Sequence, residues 1–569
     1  MDKLLKYKLA ESPLPEKNSL WPLYGAGFEK LGVDGHTIEV PIPSIGSDQL
    51  LVRHDACGLC FSDIKVLKAG QDHPRIYRDM SQNPVVLGHE VSMTVIQVGS
   101  NLTNQYKVGD RFIIQADIFV NGVGYAYGYE IQGGLSQFNI IDKRILSGDD
   151  GNYLLPVLPT TGYAESALTE PWACVIAAYQ LKYRTSIKSG GTTWIIGTGE
   201  NRPYTIQNGF DQKNHPSRLV LSHVPHGFAE WLKKVAISLE IELIEENDLD
   251  RFPFEQADDI ILLGADADLL EKASPRLANF GIFSIISEKP LPRKILTDIG
   301  RIHYNRWVYI GGSDPDISKV YQDVPVRSTL KPNGKTWFVG AGGPMGRMHV
   351  QRAIQIEDGP SMIVCSDVSD LRLDDLCTSF SNEAKEKGIE FICLNPMRKD
   401  EYQTGLAKFT GGFDDIIVLA PIGPVIAEAS NYLAEKGVMN VFAGLSRGSM
   451  VNVDLSDAIL KGTRIIGHSA STIDDLKLML YQAETGTLSP NRSVAAVGSL
   501  SAVIDGLKSV LDTSFPGKVV IFPQIKEFPL TSLMDLGQIL PSVGAKLKDG
   551  REWTVEAEEE FLRILLPDN

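Results

Sequence analysis

Residues 335–346 read KTWFVGAGGPMG, which places an apolar strand, a glycine turn and the start of a helix in direct succession. A glycine turn of this kind lets the backbone approach a pyrophosphate, which the free amides and dipole of a helix N-terminus then stabilise. One extra residue separates Gly342 from Gly346 relative to the plain G-x-G-x-x-G spacing, so we expect a slightly longer loop. The stretch predicts a doubly wound α/β fold that binds a dinucleotide.

The next predicted strand favours NAD as the cofactor. It ends at Asp367, about twenty residues after the last glycine, where a carboxylate can bind both ribose hydroxyls. Arg372 follows, and one arginine near the ribose can accommodate a ribose phosphate, although it could equally form a surface salt bridge. The predicted cofactor-binding residues are Gly340, Gly342, Gly343, Pro344, Met345, Gly346, Asp367 and Arg372.

A defective copy of the same pattern precedes this one. Residues 193–199 read TWIIGTG, but Pro203 stands where the second copy has Gly346, and His223 stands opposite Asp367. Downstream, residues 258–263 recur as residues 414–419 at an offset of 156, and further pairs keep this offset. Internal repeats of this length indicate tandem copies of one fold. The first copy lacks the phosphate turn and the ribose carboxylate, so we expect a structural role for it. A second, regulatory nucleotide site is the alternative.

Two short runs of sequence contain residue types that bind metal ions. Residues 57–63 read CGLCFSD and residues 88–90 read GHE, and Glu170 lies further along, before a proline. A catalytic zinc takes about three ligands from Cys, His and Asp or Glu and leaves one position open. Alone, the C-x-x-C could be half of a zinc ribbon or a redox pair, but the chain has no second C-x-x-C. The residues predict a catalytic metal site, with Cys57 as a packed small residue.

In these motifs the chain resembles the zinc-dependent medium-chain dehydrogenase/reductase family, the alcohol and sorbitol dehydrogenases. Its length and its GGPMG turn are similar to those of bacterial sorbose-1-phosphate reductases. The resemblance implies that Cys60 and His89 are zinc ligands, with Glu90 and Glu170 as alternatives for the third place. It also implies that Ser62 holds the substrate hydroxyl and relays its proton, and that Asp63 accepts a hydrogen bond from His89. No cysteine lies between Asp110 and Gly134, where the family's optional structural zinc lobe falls, so we expect one zinc.

The resemblance implies an α/β protein with a GroES-like β-barrel catalytic domain and tandem Rossmann-like doubly wound domains, the first of them degenerate. In many family dimers two such domains abut edge to edge, and an inserted copy could cover that sheet edge within one chain. The predicted domains are a catalytic domain with an N-terminal arm (1–190), a degenerate Rossmann-like insert (191–333), an NAD-binding Rossmann domain (334–485), a return to the catalytic domain (486–525) and a C-terminal extension (526–569).

The implied function is hydride transfer between NAD(H) and a secondary alcohol or ketone of a polyol, sugar or sugar phosphate. His73, Arg75 and Arg78 could bind a substrate phosphate, although solvated loop charges are the commoner explanation. Tyr125, Tyr127 and Tyr129 alternate as on one face of an extended segment. They could line the mouth of a polar-substrate cleft, but packing over the barrel is the commoner explanation. The alternative function is a catalytically silent, NAD-responsive scaffold or regulatory protein that keeps zinc for stability.

Composition agrees with a soluble enzyme of several domains. The 569 residues are 43% hydrophobic, and the net charge of −16 argues against nucleic-acid or anionic-membrane partners. Six scattered cysteines and a charged N-terminus predict a cytoplasmic protein. We expect a small-molecule substrate, and a homo-oligomer is compatible with the sequence.

Overall fold

The computed structural model describes residues 2–322, 329–468 and 470–568. Two compact units share the chain. The first contains Met1–Ile176, Gly343–Met348 and Ser471–Asn569, and the second contains Ala177–Gly342 and His349–Ala470. The chain therefore leaves the first unit and returns to complete it.

The N-terminal part of the first unit is rich in short strands. Its strands are β1 (Lys17–Leu20), β2 (Pro22–Leu23), β3 (Ile38–Pro41), β4 (Leu50–Gly58), β5 (Val85–Val86), β6 (Glu90–Val98), β7 (Arg111–Ile114), β8 (Phe119–Val120), β9 (Val123–Gly124), β10 (Phe138–Ile141) and β11 (Leu154–Pro156). Its helices are α1 (Lys3–Lys8), α2 (Phe61–Ala69), α3 (Lys143–Leu146), α4 (Tyr163–Ala167) and α5 (Thr169–Ala177).

Strands and helices alternate through the second unit, as the two sequence copies predict. The strands are β12 (Thr192–Gly197), β13 (Arg218–Ser222), β14 (Glu242–Glu245), β15 (Ala257–Leu263), β16 (Leu277–Ile286), β17 (Ile295–Asp298), β18 (Val308–Gly312), β19 (Lys335–Val339), β20 (Met362–Ser366), β21 (Glu390–Leu394), β22 (Phe413–Val418), β23 (Leu433–Val441), β24 (Met450–Val453) and β25 (Arg464–Gly467). The helices are α6 (His226–Ser238), α7 (Ala267–Ala273), α8 (Ile299–Tyr304), α9 (Ile317–Gln322), α10 (Pro344–Gln355), α11 (Asp370–Glu386), α12 (Lys399–Ala407), α13 (Gly423–Ser430) and α14 (Ser456–Leu460). The start of α10, up to Met348, belongs to the first unit.

The returning chain adds three strands and five helices to the first unit. They are β26 (Val494–Ser499), β27 (Lys518–Phe522), β28 (Thr531–Ser532), α15 (Ile473–Glu484), α16 (Val503–Leu511), α17 (Leu533–Ile539), α18 (Pro541–Gly544) and α19 (Val555–Leu565). Strand β27 pairs antiparallel with the end of β4, and the sheet has the order β11-β7-β6-β4-β27-β26-β28, with β10 also on β4. Every residue of β4 is buried, since the strand lies at the centre of this sheet.

One twelve-stranded sheet organises the second unit. Its order is β14-β13-β12-β15-β16-β18-β25-β23-β22-β19-β20-β21, so each copy contributes six parallel strands in the same order. The halves join where β18 meets β25 antiparallel at Tyr309 and Ile465. These two residues are themselves 156 apart, and β17 pairs with β24 so that Leu296 faces Asn452 at the same offset. Equivalent residues facing each other define an internal pseudo-two-fold axis, the arrangement of a symmetric dimer interface.

The two copies repeat individual side-chain contacts. Trp194 donates its indole hydrogen to Ser222 at 2.9 Å, and Trp337 makes the equivalent bond to Ser366 at 2.9 Å. They differ after their first strand, because α10 follows β19 whereas residues 198–217, all of them described, form no helix. The first copy therefore has the same core contact but lacks a helix after its first strand. Among the described residues, every helix is too short or too polar to cross a bilayer.

Candidate active site

The ends of β4, α2 and β6 bring the predicted metal ligands together. Cys60 precedes the first residue of α2, and His89 and Glu90 lie where β6 begins. Ligand atoms of Cys60, His89 and Glu90 all lie within 4.8 Å of one another. In the part of the chain that the structure describes, this is the one group of three such side chains with that geometry.

Asp63 orients two of these ligands. Its Oδ1 lies 3.2 Å from His89 Nδ1 and accepts a bond from the Gly88 amide, while its Oδ2 accepts one from the Cys60 amide at 2.9 Å. Burial raises the pKa of Asp63, but His89 and these hydrogen bonds outweigh it, and the net pKa lies below the ordinary value. Asp63 is therefore a buried carboxylate that leaves Nε2 of His89 available to a metal.

Glu90 forms a buried ion pair that the sequence motifs do not indicate. Lys518 Nζ lies 2.5 Å from Glu90 Oε1 and 2.7 Å from the Leu59 carbonyl oxygen, and the side chains of both partners are at most 4% exposed. The second oxygen of Glu90, Oε2, is buried with no hydrogen-bond partner. The one available signal was a charged residue, Lys518, at the start of the otherwise apolar strand β27.

Glu170 lies in the first turn of α5, close enough to this group to interact with its charges. Burial raises its pKa to about 7, His89 opposes the shift and Glu90 adds to it. Cys174 follows on the same face of α5, and burial together with Glu170 raises the pKa of its thiol. Glu170 is therefore close enough to His89 for their charges to interact. Glu90, rather than Glu170, forms the compact group with Cys60 and His89.

Tyr129 is a further residue of this site. Its hydroxyl is hydrogen-bonded to Ser62, and its ring centroid lies 5.9 Å from that of His89 and 5.1 Å from that of His73. The interpretation of the tyrosines as one face of an extended segment is wrong, because Ala126 turns the chain at a φ of +52°. Tyr127 is instead buried against His54, with 2.6 Å between its hydroxyl and Nε2.

The loop cations proposed for a substrate phosphate already hold carboxylates. Arg75 is paired with Asp117, and Arg78 with Glu130 at 3.1 Å. Burial, followed by the charge of Arg75, lowers the pKa of His73, which favours its neutral form. These side chains are therefore structured parts of the wall near Tyr129 rather than freely solvated charges.

The glycine turn of the second copy has the predicted relation to Asp367. Asp367 accepts hydrogen bonds from the Gly342 amide at 3.0 Å and from the Ser369 amide at 3.0 Å. A Cβ at Gly342 would lie 2.5 Å from Arg372 Cβ and 2.9 Å from Asp367 Cγ, so only glycine fits there. Gly340 adopts a φ of +81°, which favours glycine.

The chain after this turn continues directly into α10. Gly343, Pro344, Met345 and Gly346 form its entry, and no protein atom lies within 4 Å of a Cβ built on Gly343. In the first copy, His223 occupies the place of Asp367 with a φ of +51°.

Both donor sets fit the groups that the sequence predicts. A thiol, an imidazole and an unpartnered carboxylate oxygen are ligand types that zinc prefers. The glycine turn beside a buried carboxylate suits a pyrophosphate and a ribose diol.

Comparison with known proteins gives a consistent result. The alcohol dehydrogenase GroES-like domain family matches residues 46–148. The chain is 23% identical to mannitol-1-phosphate 5-dehydrogenase of Aliivibrio fischeri over 92% of its own length and 93% of that protein. It is 20% identical to L-sorbose 1-phosphate reductase of Klebsiella pneumoniae, again over 92% and 93%. The crystal structure of 2R,3R-butanediol dehydrogenase from Bacillus subtilis has the same fold, with a TM-score of 0.50, 14% identity and coverage of 89% of this chain and 99% of that one.

The protein thus contains a GroES-like domain of the alcohol dehydrogenase type, and over nearly its whole length it is similar to proteins named as polyol-phosphate and sugar-phosphate dehydrogenases or reductases. It is an oxidoreductase of the α/β class with a GroES-like domain, which confirms the predicted family and fold class.

Proposed function

We propose that the protein is a zinc- and NAD-dependent dehydrogenase that interconverts a secondary alcohol and a ketone of a phosphorylated polyol. The observation that carries the proposal is the convergence of Cys60, His89 and Glu90 beside Ser62, with one buried carboxylate oxygen left without a partner. A purely structural metal would not need a hydroxyl relay next to it, which argues against the silent scaffold.

Zinc, when bound, supplies a Lewis acid that favours the ionised form of an alcohol. NAD supplies the hydride acceptor. Cys60 and His89 would hold the metal, with Glu90 or Glu170 completing the set, and Asp63 fixes the ring of His89. Lys518 pairs with Glu90 at 2.5 Å and so places a positive charge beside this buried carboxylate.

Proton transfer falls to Ser62 and Tyr129. The Ser62 hydroxyl can accept the proton of the substrate hydroxyl and donate its own along its hydrogen bond to Tyr129. Burial raises the pKa of Tyr129 well above its ordinary value, so Tyr129 stays protonated and serves as a relay rather than as a base. His73, whose neutral form is favoured, packs edge-on against the Tyr129 ring and so helps to hold it in place.

The glycine turn and Asp367 support NAD as the cofactor. Asp367 would bind the ribose hydroxyls and repel a ribose phosphate, which supports NAD over NADP. Gly340, Gly342 and the entry of α10 would accommodate the pyrophosphate. The first copy lacks both features, so we propose one cofactor per chain.

The substrate class rests on the relatives that align over nearly their whole length. Both are named for six-carbon compounds phosphorylated at position 1, a polyol in one case and a ketose in the other. We therefore propose a polyol phosphate and the matching ketose phosphate as the substrate pair.

The test is a substrate panel read by NADH absorbance. Purified protein is incubated with NAD or NADP and with mannitol 1-phosphate, glucitol 6-phosphate, the unphosphorylated polyols and 2,3-butanediol. We expect turnover with NAD and a phosphorylated polyol, loss of activity with a chelator, and recovery on adding zinc. Turnover with only unphosphorylated alcohols would overturn the substrate class, and no turnover with any of them would favour the scaffold.

Matched variants identify the site. Cys60→Ser should abolish activity and bound zinc, whereas Cys377→Ser, at a half-buried thiol of the second unit, should change neither. Ser62→Ala should lower kcat by about 10²-fold or more while zinc content stays the same.

A further inference from the structure

A cavity of about 500 Å³ lies in the first unit, away from the candidate metal ligands. Its walls come from the N-terminal arm, the barrel strands β4 and β6, and the last described residues of the chain. None of Cys60, His89, Glu90 and Glu170 lines it. A volume of this size is typical of small-molecule sites.

Specific contacts hold the two terminal segments around the cavity. Lys3 Nζ donates to the Leu566 carbonyl oxygen at 2.8 Å and pairs with Asp568 at 3.1 Å. One turn further along α1, Lys8 pairs with Glu559 of α19. These contacts join residues from opposite ends of the chain, so the arm and the extension form one continuous wall.

Two lysines of the wall carry positive charge that is not paired with a carboxylate, and a buried arginine lies behind them. Lys6 and Lys526 have no ion-pair partner among the residues that the structure describes. Arg53, 3% exposed, stacks on the Tyr7 ring at 3.4 Å and donates to Asp55 and to the Tyr7 carbonyl oxygen, but its Nη2 has no hydrogen-bond partner. This nitrogen is itself buried, and Asp55 already pairs with the guanidinium at 2.7 Å, so Arg53 supports the wall from behind while Lys6 and Lys526 supply its unpaired positive charge.

Most acidic residues of the wall already form ion pairs with lysines. Asp568 is paired with Lys3, and Glu39 is paired with Lys17 at 3.2 Å, which leaves Glu16 as the remaining carboxylate. The cavity is therefore a cationic spot in a chain whose net charge is −16. Leu14, Ile96 and Phe138 add an apolar side to the wall.

We propose that this cavity is a second, non-catalytic binding site for a small organic phosphate ester. The phosphate would lie between Lys6 and Lys526, and the organic part against the apolar side. A phosphate dianion matches two unpaired positive charges better than a neutral or singly charged ligand does. The inference does not depend on the proposed function, because no residue of the metal site takes part.

The test uses phenyl phosphate, which has no secondary alcohol to oxidise. Isothermal titration of the full-length, zinc-loaded protein should give one site per chain, and phenol should bind far more weakly because it lacks the phosphate. Inorganic phosphate should compete, which separates recognition of the phosphate from recognition of the ring.

Variants locate the binding. The double variant Lys6→Ala/Lys526→Ala should lower the affinity for phenyl phosphate about tenfold or more, since two charge-assisted contacts are lost. Lys8→Ala is the matched control, because Lys8 lies on the same helix but faces Glu559. Circular dichroism spectra equal to that of the parent protein establish that the variants are folded.

Three outcomes would overturn the proposal. They are an affinity for phenyl phosphate equal to that for phenol, an affinity unchanged in the double variant, and binding abolished by Cys60→Ser. The last outcome would place the ligand at the metal site.

Discussion

At the scale of single residues, the proposed metal site depends on groups that contact Cys60, His89 and Glu90. Asp63 receives three hydrogen bonds from around Cys60 and His89, and Lys518 fixes Glu90. Asp63 could be predicted, because the family motif places it next to Cys60. Lys518 could not, because it is separated from Glu90 by 428 residues and a single lysine at a strand start is no pattern.

Replacing Asp63 with asparagine should weaken zinc binding by about 10- to 100-fold, because the carboxylate that orients His89 is lost. Competition with a chromophoric chelator measures this affinity. Asp34→Asn, at an exposed left-handed turn position where asparagine fits, is the control. Unchanged zinc affinity in the Asp63 variant would contradict the assigned role.

Replacing Lys518 with methionine should destabilise the first unit by about 3–5 kcal/mol, because Glu90 would be left as an unpaired buried charge. Urea denaturation of chelator-treated protein, followed by tryptophan fluorescence, measures the change. Lys17→Met breaks an exposed pair and should leave the midpoint where it is. The added substitution Glu90→Gln should restore part of the loss, and a variant as stable as the parent would show that the pair contributes nothing.

At the scale of elements, one turn distinguishes the two Rossmann-like copies. The strand before it is present in both, with the same tryptophan-to-serine hydrogen bond, but only the second copy continues into a helix. The sequence predicted this difference, because the first copy has Pro203 at the position of Gly346 and His223 at the position of Asp367.

Replacing Gly342 with alanine should reduce NAD affinity at least tenfold, because the new Cβ would collide with Arg372 and Asp367. Quenching of protein fluorescence by NAD gives the affinity. Gly227→Ala, at an open, exposed position of the first copy, should bind NAD like the parent. Equal loss in both variants would mean that the first copy also takes part in binding.

We expect the stability of the fold to depend on pH through Glu165 of helix α4, which is not one of the proposed metal ligands. Burial raises the pKa of Glu165 to about 7, and the neighbouring Glu558 adds to the shift. A carboxyl whose folded pKa exceeds its unfolded value of about 4.3 stabilises the fold at low pH, and this contribution is lost as the pH rises towards and through 7. Glu165→Gln should therefore match the parent in thermal stability near pH 4.5 and exceed it at pH 8. The exposed Glu386→Gln should track the parent at both values, and equal melting temperatures of parent and Glu165→Gln at pH 8 would refute the argument.

At the scale of the whole molecule, the repeat explains what could and could not be predicted. Two copies at a fixed offset predicted two similar folds and a covered edge between them, and the twelve-stranded sheet contains both. The hydrogen bond of Tyr129 to Ser62 was not predicted, because Ala126 turns a segment whose tyrosines alternate as in a strand. The cavity was missed because its wall joins residues from both ends of the chain, a relation that no local pattern carries.

Within the second unit, the two copies join where β18 pairs with β25, and this joint covers one strand edge of each copy. At Gly467, the last residue of β25, a Cβ would lie 2.6 Å from His303 Cα and 2.8 Å from the Ile302 carbonyl oxygen, both in α8. Gly467→Val should therefore force α8 away from β25 and loosen the joint of β18 with β25. Exposed strand edges recruit other chains, so we expect concentration-dependent self-association in light scattering. Gly227→Val, at an open position, should scatter like the parent. A Gly467 variant that behaves like the parent at every concentration would show that the joint tolerates displacement of α8 and that its close packing is not what keeps the edges covered.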